Sequence, residues 1–357
     1  MPSNPKKKIL AGAFVCLVVI VWLSVGFVTY DYEYIGDGTD SPLGQEVLAS
    51  ANKIAQFITD KSWLDLHAAS AAEFRAESSR DEFISQWQQL SRSVFGIQEV
   101  RIVEMYVVNL REAHLIASAY KMPMVPSKVL PPAVSLSSPF LGRQAFVLCK
   151  SMTDNGEVST WLTLILKQED ADWRLLQFFI SPAMIAGHDG HWFWQKSKEF
   201  ERAGKIRNAL FYNDIASQLL TPSTAIDSIS AGEVRNEFKD RTRINMPYPG
   251  QRPAENWQIN NNLTVSVHYV GFVSTGVLLW LDVRYQTMLD DIESEKAKSE
   301  RQQIHEYVVR TFPEYKDAFG GIYIGSVQEG GRGSRDGFPF DEIGPSLTPN
   351  WDDQPQN

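Results

Sequence analysis

Residues 9–28, ILAGAFVCLVVIVWLSVGFV, are 20 consecutive positions without a charge or a proline. A helix of that length rises about 30 Å, the thickness of a bilayer's hydrocarbon core. Lys6, Lys7 and Lys8 precede the run, Asp31, Glu33, Asp37 and Asp40 follow it, and no Lys or Arg recurs before Lys53. Basic flanks stay cytoplasmic, so residues 1–8 are expected inside, residues 9–28 across a bacterial inner membrane, and everything beyond Tyr30 outside. Tyr30, Tyr32 and Tyr34, with Trp22, suit the headgroup layer. The competing reading is a cleaved signal peptide, with small Ser24 and Gly26 before a cut at Phe27. Against it, the run exceeds the usual apolar segment of about 7 to 15 residues and continues through Val28. A lipid-bearing cysteine is disfavoured because Cys16 lies deep in the run behind Val15.

The 357 residues are enough for about two folded domains, and 43% apolar content supplies their cores. Removing the three tail lysines from the net charge of −9 leaves −12 on residues 9–357. That balance argues against a nucleic-acid partner and implies repulsion from an anionic membrane surface. Two cysteines exclude a disulfide framework and a Cys-rich zinc site, and Cys149, inside the apolar run QAFVLCKS, reads as a buried free thiol.

Over residues 43–185 the apolar spacing changes character. Val47, Ala51, Ile54, Ala55 and Ile58 recur at helical steps, Trp63, Leu66 and Phe74 mark a second element, and Ser79 with Glu82 forms a capping box. Phe83, Trp87, Leu90 and Val94 continue the stripe to Gly96. Beyond it, EVRIVEMYVV, EAHLIASAY, RQAFVLCKS, STWLTLILK and WRLLQFFIS read as strands, with turns at Asn155-Gly156 and Asp170-Ala171-Asp172. Helices followed by a curved antiparallel sheet make an α+β domain.

The stretch FITDKSWLDLHAASAAEFRAESSRDEFISQW and the closing hairpin STWLTLILKQEDADWRLLQFFISP resemble the nuclear transport factor two-like superfamily, most closely its bacterial envelope domains of unknown function. The resemblance implies a cup-shaped, cystatin-like fold. It implies little about function, because that fold hosts isomerases, dehydratases, binding cups and scaffolds. One departure is the insertion at residues 122–141, with prolines at 123, 126, 131, 132 and 139, expected as an extended loop rather than a central strand.

Residues 188–328 are expected to form a smaller α+β domain. Residues 191–220 read as two helices meeting near Gly204, NMPYPGQRPAENW as a connection, LTVSVHYVGF and GVLLWLDVRYQT as strands, a polar helix from about Leu289, and GIYIGSV as a last strand. This gives β-β-α-β after the helical hairpin. From Glu329 on, the composition implies a disordered tail, in which Phe338, Phe340 and Trp351 are candidates for a partner motif.

No phosphate loop, dinucleotide fingerprint, nucleophile elbow or zinc-protease signature occurs, so no cofactor, metal or catalytic residue is assigned. His188-Asp189-Gly190-His191 is the densest ligand cluster, but its glycines make it an exposed turn without a third ligand. Asp290, Asp291, Glu293 and Glu295 read as the first-turn carboxylates of the helix that follows. The expected role is a membrane-anchored, periplasmic binding or scaffold protein with a protein partner in the envelope. Its layout is similar to the inner-membrane scaffold subunits of type IV secretion machines. The alternative is an enzyme using the cup, with His67, Glu73, Glu104 and His114 as the titratable groups that would have to converge.

Overall fold

Apolar side chains every three or four residues build the first helix, α1 (Pro42–Thr59), and Val47, Ala51, Ile54, Ala55 and Ile58 on that face are all buried. Ser41 caps it, its Oγ accepting from Gly44 N at 3.0 Å. The computed structural model describes residues 29–36, 40–77, 79–90, 99–112, 120–152, 159–241, 254–275 and 278–340. They form mixed α and β structure in two units. The first takes the described residues up to Ser151, Trp161–Ser181 and Pro222–Ile229, and the second takes most of the rest. The run at residues 9–28 lies outside the described residues, among which no helix is long and apolar enough to cross a membrane.

In the first unit α1 is followed by α2 (Trp63–Ala68), α3 (Ala72–Glu77) and α4 (Arg80–Leu90). The capping box forms as its residues imply: Ser79 N donates to Glu82 Oε2 at 3.1 Å and Glu82 N donates to Ser79 Oγ at 3.4 Å. Val94, Gly96, His114 and the Asn155-Gly156 turn lie outside the described residues. The strands are β1 (Thr29–Gly36), β2 (Glu99–Glu112), β3 (Tyr120–Pro126), β4 (Ala133–Ser138), β5 (Gly142–Met152), β6 (Ser159–Glu169) and β7 (Asp172–Pro182). Five of them make one sheet in the order β1-β2-β5-β6-β7. Only Asp170 and Ala171 join β6 to β7, so those two run antiparallel. The first unit starts earlier than residue 43, because β1, which carries Tyr30, Tyr32 and Tyr34, pairs with β2.

The proline-rich insertion is not the extended loop its composition implies. β3 and β4 pair antiparallel, and Ile226–Ser228, expected in the second domain, pairs with the other side of β4. β4 is therefore the central strand of a three-stranded sheet. The reason is where the prolines fall. Pro123 and Pro126 sit in edge strand β3, Pro131 and Pro132 in the turn, and Pro139 beyond β4, so the one strand bonded on both sides keeps all its N–H groups.

In the second unit, β8 (Met184–Ile185) pairs with β9 (His188–Asp189), and the helical hairpin α5 (Gly190–Arg202) and α6 (Ile206–Leu219) turns at Gly204, whose φ is +73°. With Ile226–Ser228 counted as β10, α7 (Ile229–Arg241), β11 (Glu255–Asn260), β12 (Leu263–Thr275), β13 (Leu278–Gln286), α8 (Glu295–Thr311), β14 (Gly321–Val327) and β15 (Gly333–Pro339) complete it. The sheet order is β11 to β15 in sequence, with β13 and β14 parallel across α8. The order is thus β-β-β-α-β-β: β11 lies partly in what reads as a connection and β15 in the expected disordered tail. α8 starts at Glu295, not Leu289, because Ser294 Oγ caps Ala297 N at 3.3 Å. Asp290, Asp291 and Glu293 precede the helix, where Gln328 Nε2 donates to the Leu289 and Asp290 carbonyls at 2.9 and 2.8 Å.

A buried cation explains why β15 is ordered despite its small, polar sequence. Arg301 on α8 is 0% exposed; its Nε donates to Asp336 Oδ2 at 2.6 Å and its Nη1 to the Ile292 carbonyl at 2.8 Å and Ser326 Oγ at 3.1 Å. Asp336 is the only carboxylate on β15, so the ion pair and the β14 ladder hold the strand together. Asp336→Asn should lower stability by about 2 kcal/mol, since it leaves a buried guanidinium without a counter-charge while the lost carboxylate was itself partly exposed. Urea unfolding followed by tryptophan fluorescence measures this, and a loss below about 0.5 kcal/mol would mean that the pair behaves like a surface one.

Candidate functional site

One face of the first unit's five-stranded sheet is covered by α1 rather than open. The buried face of α1 meets Met105 and Val107 of β2, Ala145, Val147 and Cys149 of β5, and Leu162, Leu164 and Leu166 of β6. Cys149 is fully buried, and burial pushes its thiol far above the usual range, so it packs as an apolar group.

Each described group considered for catalysis has a separate structural surrounding. His67 on α2 lies against the Phe83 ring at 5.6 Å. Glu73 on α3 pairs with Lys167 of β6, and although its partial burial opposes ionisation, that pairing holds its carboxyl below the usual range. Glu104, only 1% exposed, is an anchor for the insertion. It accepts from Ser127 Oγ at 2.5 Å and from Lys128 N at 2.8 Å, and Ser127 Oγ in turn accepts from Leu130 N at 2.8 Å. A buried carboxylate thus organises the β3–β4 turn.

What the first unit offers a ligand is a groove of about 360 Å³ on its outside, between Lys53 and Phe57 of α1, Asp65 of α2 and Trp173 of β7. Its walls carry both signs of charge. Arg174 faces Glu169 at 3.5 Å and Asp172 at 3.3 Å, and Lys53 Nζ stands 5.8 Å over the Phe57 ring. The Arg174 charge is thus already met by its neighbours, which weakens its pull on a ligand.

In the second unit, His188-Asp189-Gly190-His191 is not a plain exposed turn. Asp189 caps α5, accepting from Trp192 N at 2.9 Å, and the His188 ring stacks on Trp192 at 3.6 Å and 4°. Gly190 is buried, and a Cβ there would stand 2.6 Å from Leu220 Cγ. His191 faces Trp194 at 6.5 Å, away from that stack. Trp194 itself donates from Nε1 to Glu237 at 3.0 Å under the Lys198 ammonium, 3.8 Å from its ring. Among the described residues no three His, Cys, Asp or Glu side chains gather as a metal site. Phe338 and Phe340 pack against the second core, whereas Trp351 lies outside the described residues.

No family model, curated protein or solved structure matches this chain. The site therefore has to be read from its own residues. Sequence reasoning passed over the outer face of the second sheet, where Trp280, Asp282, Arg284, Tyr323 and Arg335 meet. The signal was present as alternation: GVLLWLDVRYQT places Trp280, Asp282 and Arg284 two apart, opposite Leu281, Val283 and Tyr285. An alternating strand flanked by glycine-rich strands marks a sheet with one open face.

Burial, chiefly, and the nearby Lys196 lower the proton affinity of His188, outweighing Asp189. Unfolded, an imidazole protonates near pH 6.5. Between that pH and the lower folded value the unfolded chain binds more protons, so stability falls as pH drops. His268 and His305 are shifted in the same direction, in each case first by burial, while burial raises the Asp214 carboxyl and opposes them. His188→Gln should therefore lose less stability than the parent chain between pH 7.5 and 5.5, about one pH unit either side of the unfolded value. Urea midpoints at both pH values check this, and equal losses would contradict it.

Proposed function

We propose that this chain is a single-pass protein of a bacterial inner membrane, with a cytoplasmic N-terminus and two outer units that bind or position a partner in the envelope. One observation carries the reading: a charge-free run at residues 9–28 between three lysines and a set of carboxylates. Its placement beside β1 adds to it. Thr29, the first residue of the first sheet, directly follows Val28, so a helix ending there would deliver the chain straight into the fold without a stalk. A run of four helices followed by the strands β2 and β5 to β7 of one sheet supports treating the first unit as similar to the nuclear transport factor two-like superfamily, although β1 precedes the helices. A binding role fits the sheet face covered by α1 and the separate structural surroundings of His67, Glu73 and Glu104.

Protease treatment of intact spheroplasts tests the topology. The account expects residues beyond Tyr30 to be digested while an epitope ahead of Lys6 survives, with the mature chain retaining residues 1–28. A mature chain beginning at Phe27, or a bulk protected until the spheroplasts are lysed, would overturn it.

A further inference from the structure

Strand alternation gives the second unit's sheet two different faces. Leu281, Val283, Ile322, Ile324 and Asp336 point toward α8, so Trp280, Asp282, Arg284, Tyr323, Arg335 and the glycines between them point away. Register puts Gly271, Asp282, Tyr323 and Gly337 in one row across the strands, and Tyr269, Arg284, Gly325 and Arg335 in the next. Four glycines give this face a flat floor. The indole of Trp280 lies over Gly321, where a Cβ would meet Cζ3 at 2.5 Å, and the Tyr323 ring lies over Gly337, where one would meet Cε1 at 2.8 Å. The two rings stack at 4.7 Å and 28°.

Cations frame these rings. The Arg335 guanidinium stands 4.6 Å from the Tyr323 centroid, and Arg284 stands 4.8 Å from that of Tyr269. Arg335 is exposed and has no carboxylate partner among the described residues, whereas Arg284 donates from Nε and Nη2 to Asp282 Oδ2 at 2.9 and 2.7 Å. Asp282 itself is 0% exposed, and its Oδ1 accepts from no donor among the described residues. Covering glycine with aromatic rings stabilises a sheet by itself. It does not account for a buried carboxylate oxygen without a protein donor, a group that water or a ligand hydroxyl can satisfy.

We propose that this face binds an acidic saccharide strand, whose pyranose rings lie on Trp280 and whose carboxylates meet Arg335 and Arg284. A pyranose has one C–H face that packs on an indole and a rim of hydroxyls that both donate and accept. The sugar carboxylate supplies a bidentate partner for each guanidinium. Arg284 turning from Asp282 to that carboxylate frees the aspartate, both of whose oxygens then accept from ring hydroxyls. Single-stranded nucleic acid would also stack and pair with arginine, but its phosphate oxygens offer Asp282 no donor, whereas every pyranose ring carries several hydroxyls that do. The proposal supplies a partner chemistry for the binding role above and rests on that reading for access to envelope glycans. The face itself is formed within the second unit, so a failed topology test and a failed binding test are separate results.

The test is titration of the detergent-solubilised full chain with hexagalacturonate and with hexamannuronate, read by tryptophan fluorescence and calorimetry, with maltohexaose and an oligothymidylate of about twelve nucleotides as comparisons. At least one uronate should bind saturably, and more tightly than maltohexaose by about tenfold, the effect of one lost charge-assisted contact. Arg335→Gln, an exposed change that the fold tolerates, should weaken uronate binding about tenfold and leave the unfolding midpoint in place. Trp280→Phe keeps the cover over Gly321 and should weaken binding less than Trp280→Ala. Failure of both uronates to saturate by about 5 mM, unchanged binding in Arg335→Gln, or tighter binding of the oligothymidylate would each overturn the proposal.

Discussion

A guanidinium shut away from water sets the architecture of the second unit. Arg301 cannot sit inside a protein without an anion, and the anion comes from Asp336 on a strand otherwise held by its ladder to β14 and by Phe338. Fixing Asp336 on the inner side fixes its neighbours by alternation, which puts Arg335 and Gly337 on the outer side. The open face of Trp280, Tyr323 and two arginines is therefore a consequence of a buried guanidinium and its partly exposed carboxylate partner on the opposite side of the same sheet.

The first unit follows a parallel rule with a carboxylate as the buried group. Glu104 gathers Ser127 and the backbone of Lys128, which closes the turn between β3 and β4. That turn lets the insertion become a small sheet, completed by β10 from a distant part of the chain. In both units a charged residue inside the fold organises a segment whose local composition alone would leave it irregular. Local propensity lost to tertiary pairing in each case.

Legibility in the sequence followed the same division. The α1 stripe, the Ser79–Glu82 capping box, the β5 to β7 strands and the hairpin at Gly204 were readable because each rests on contacts a few residues apart. β4 and β15 were not, since their partners lie on other strands and their prolines or glycines counted against them. Strand β11 was hidden in a polar connection, where Trp257 and Ile259 alone mark its buried side. The His188 cluster read as an exposed turn, because sequence shows the glycines but not the ring of Trp192 stacked on His188. The outer face escaped for a different reason: its residues come from four strands, and only the register brings them into rows.

The proposed partner face is presented by an ordered final strand of the second unit. Everything on that face depends on β15 being part of the fold. Hydrogen exchange of the full chain, resolved by mass spectrometry of peptic peptides, tests this most directly. The account predicts slow exchange for the Gly333–Pro339 peptide, comparable with that of β14, and exchange at the rate of free peptide there would contradict it.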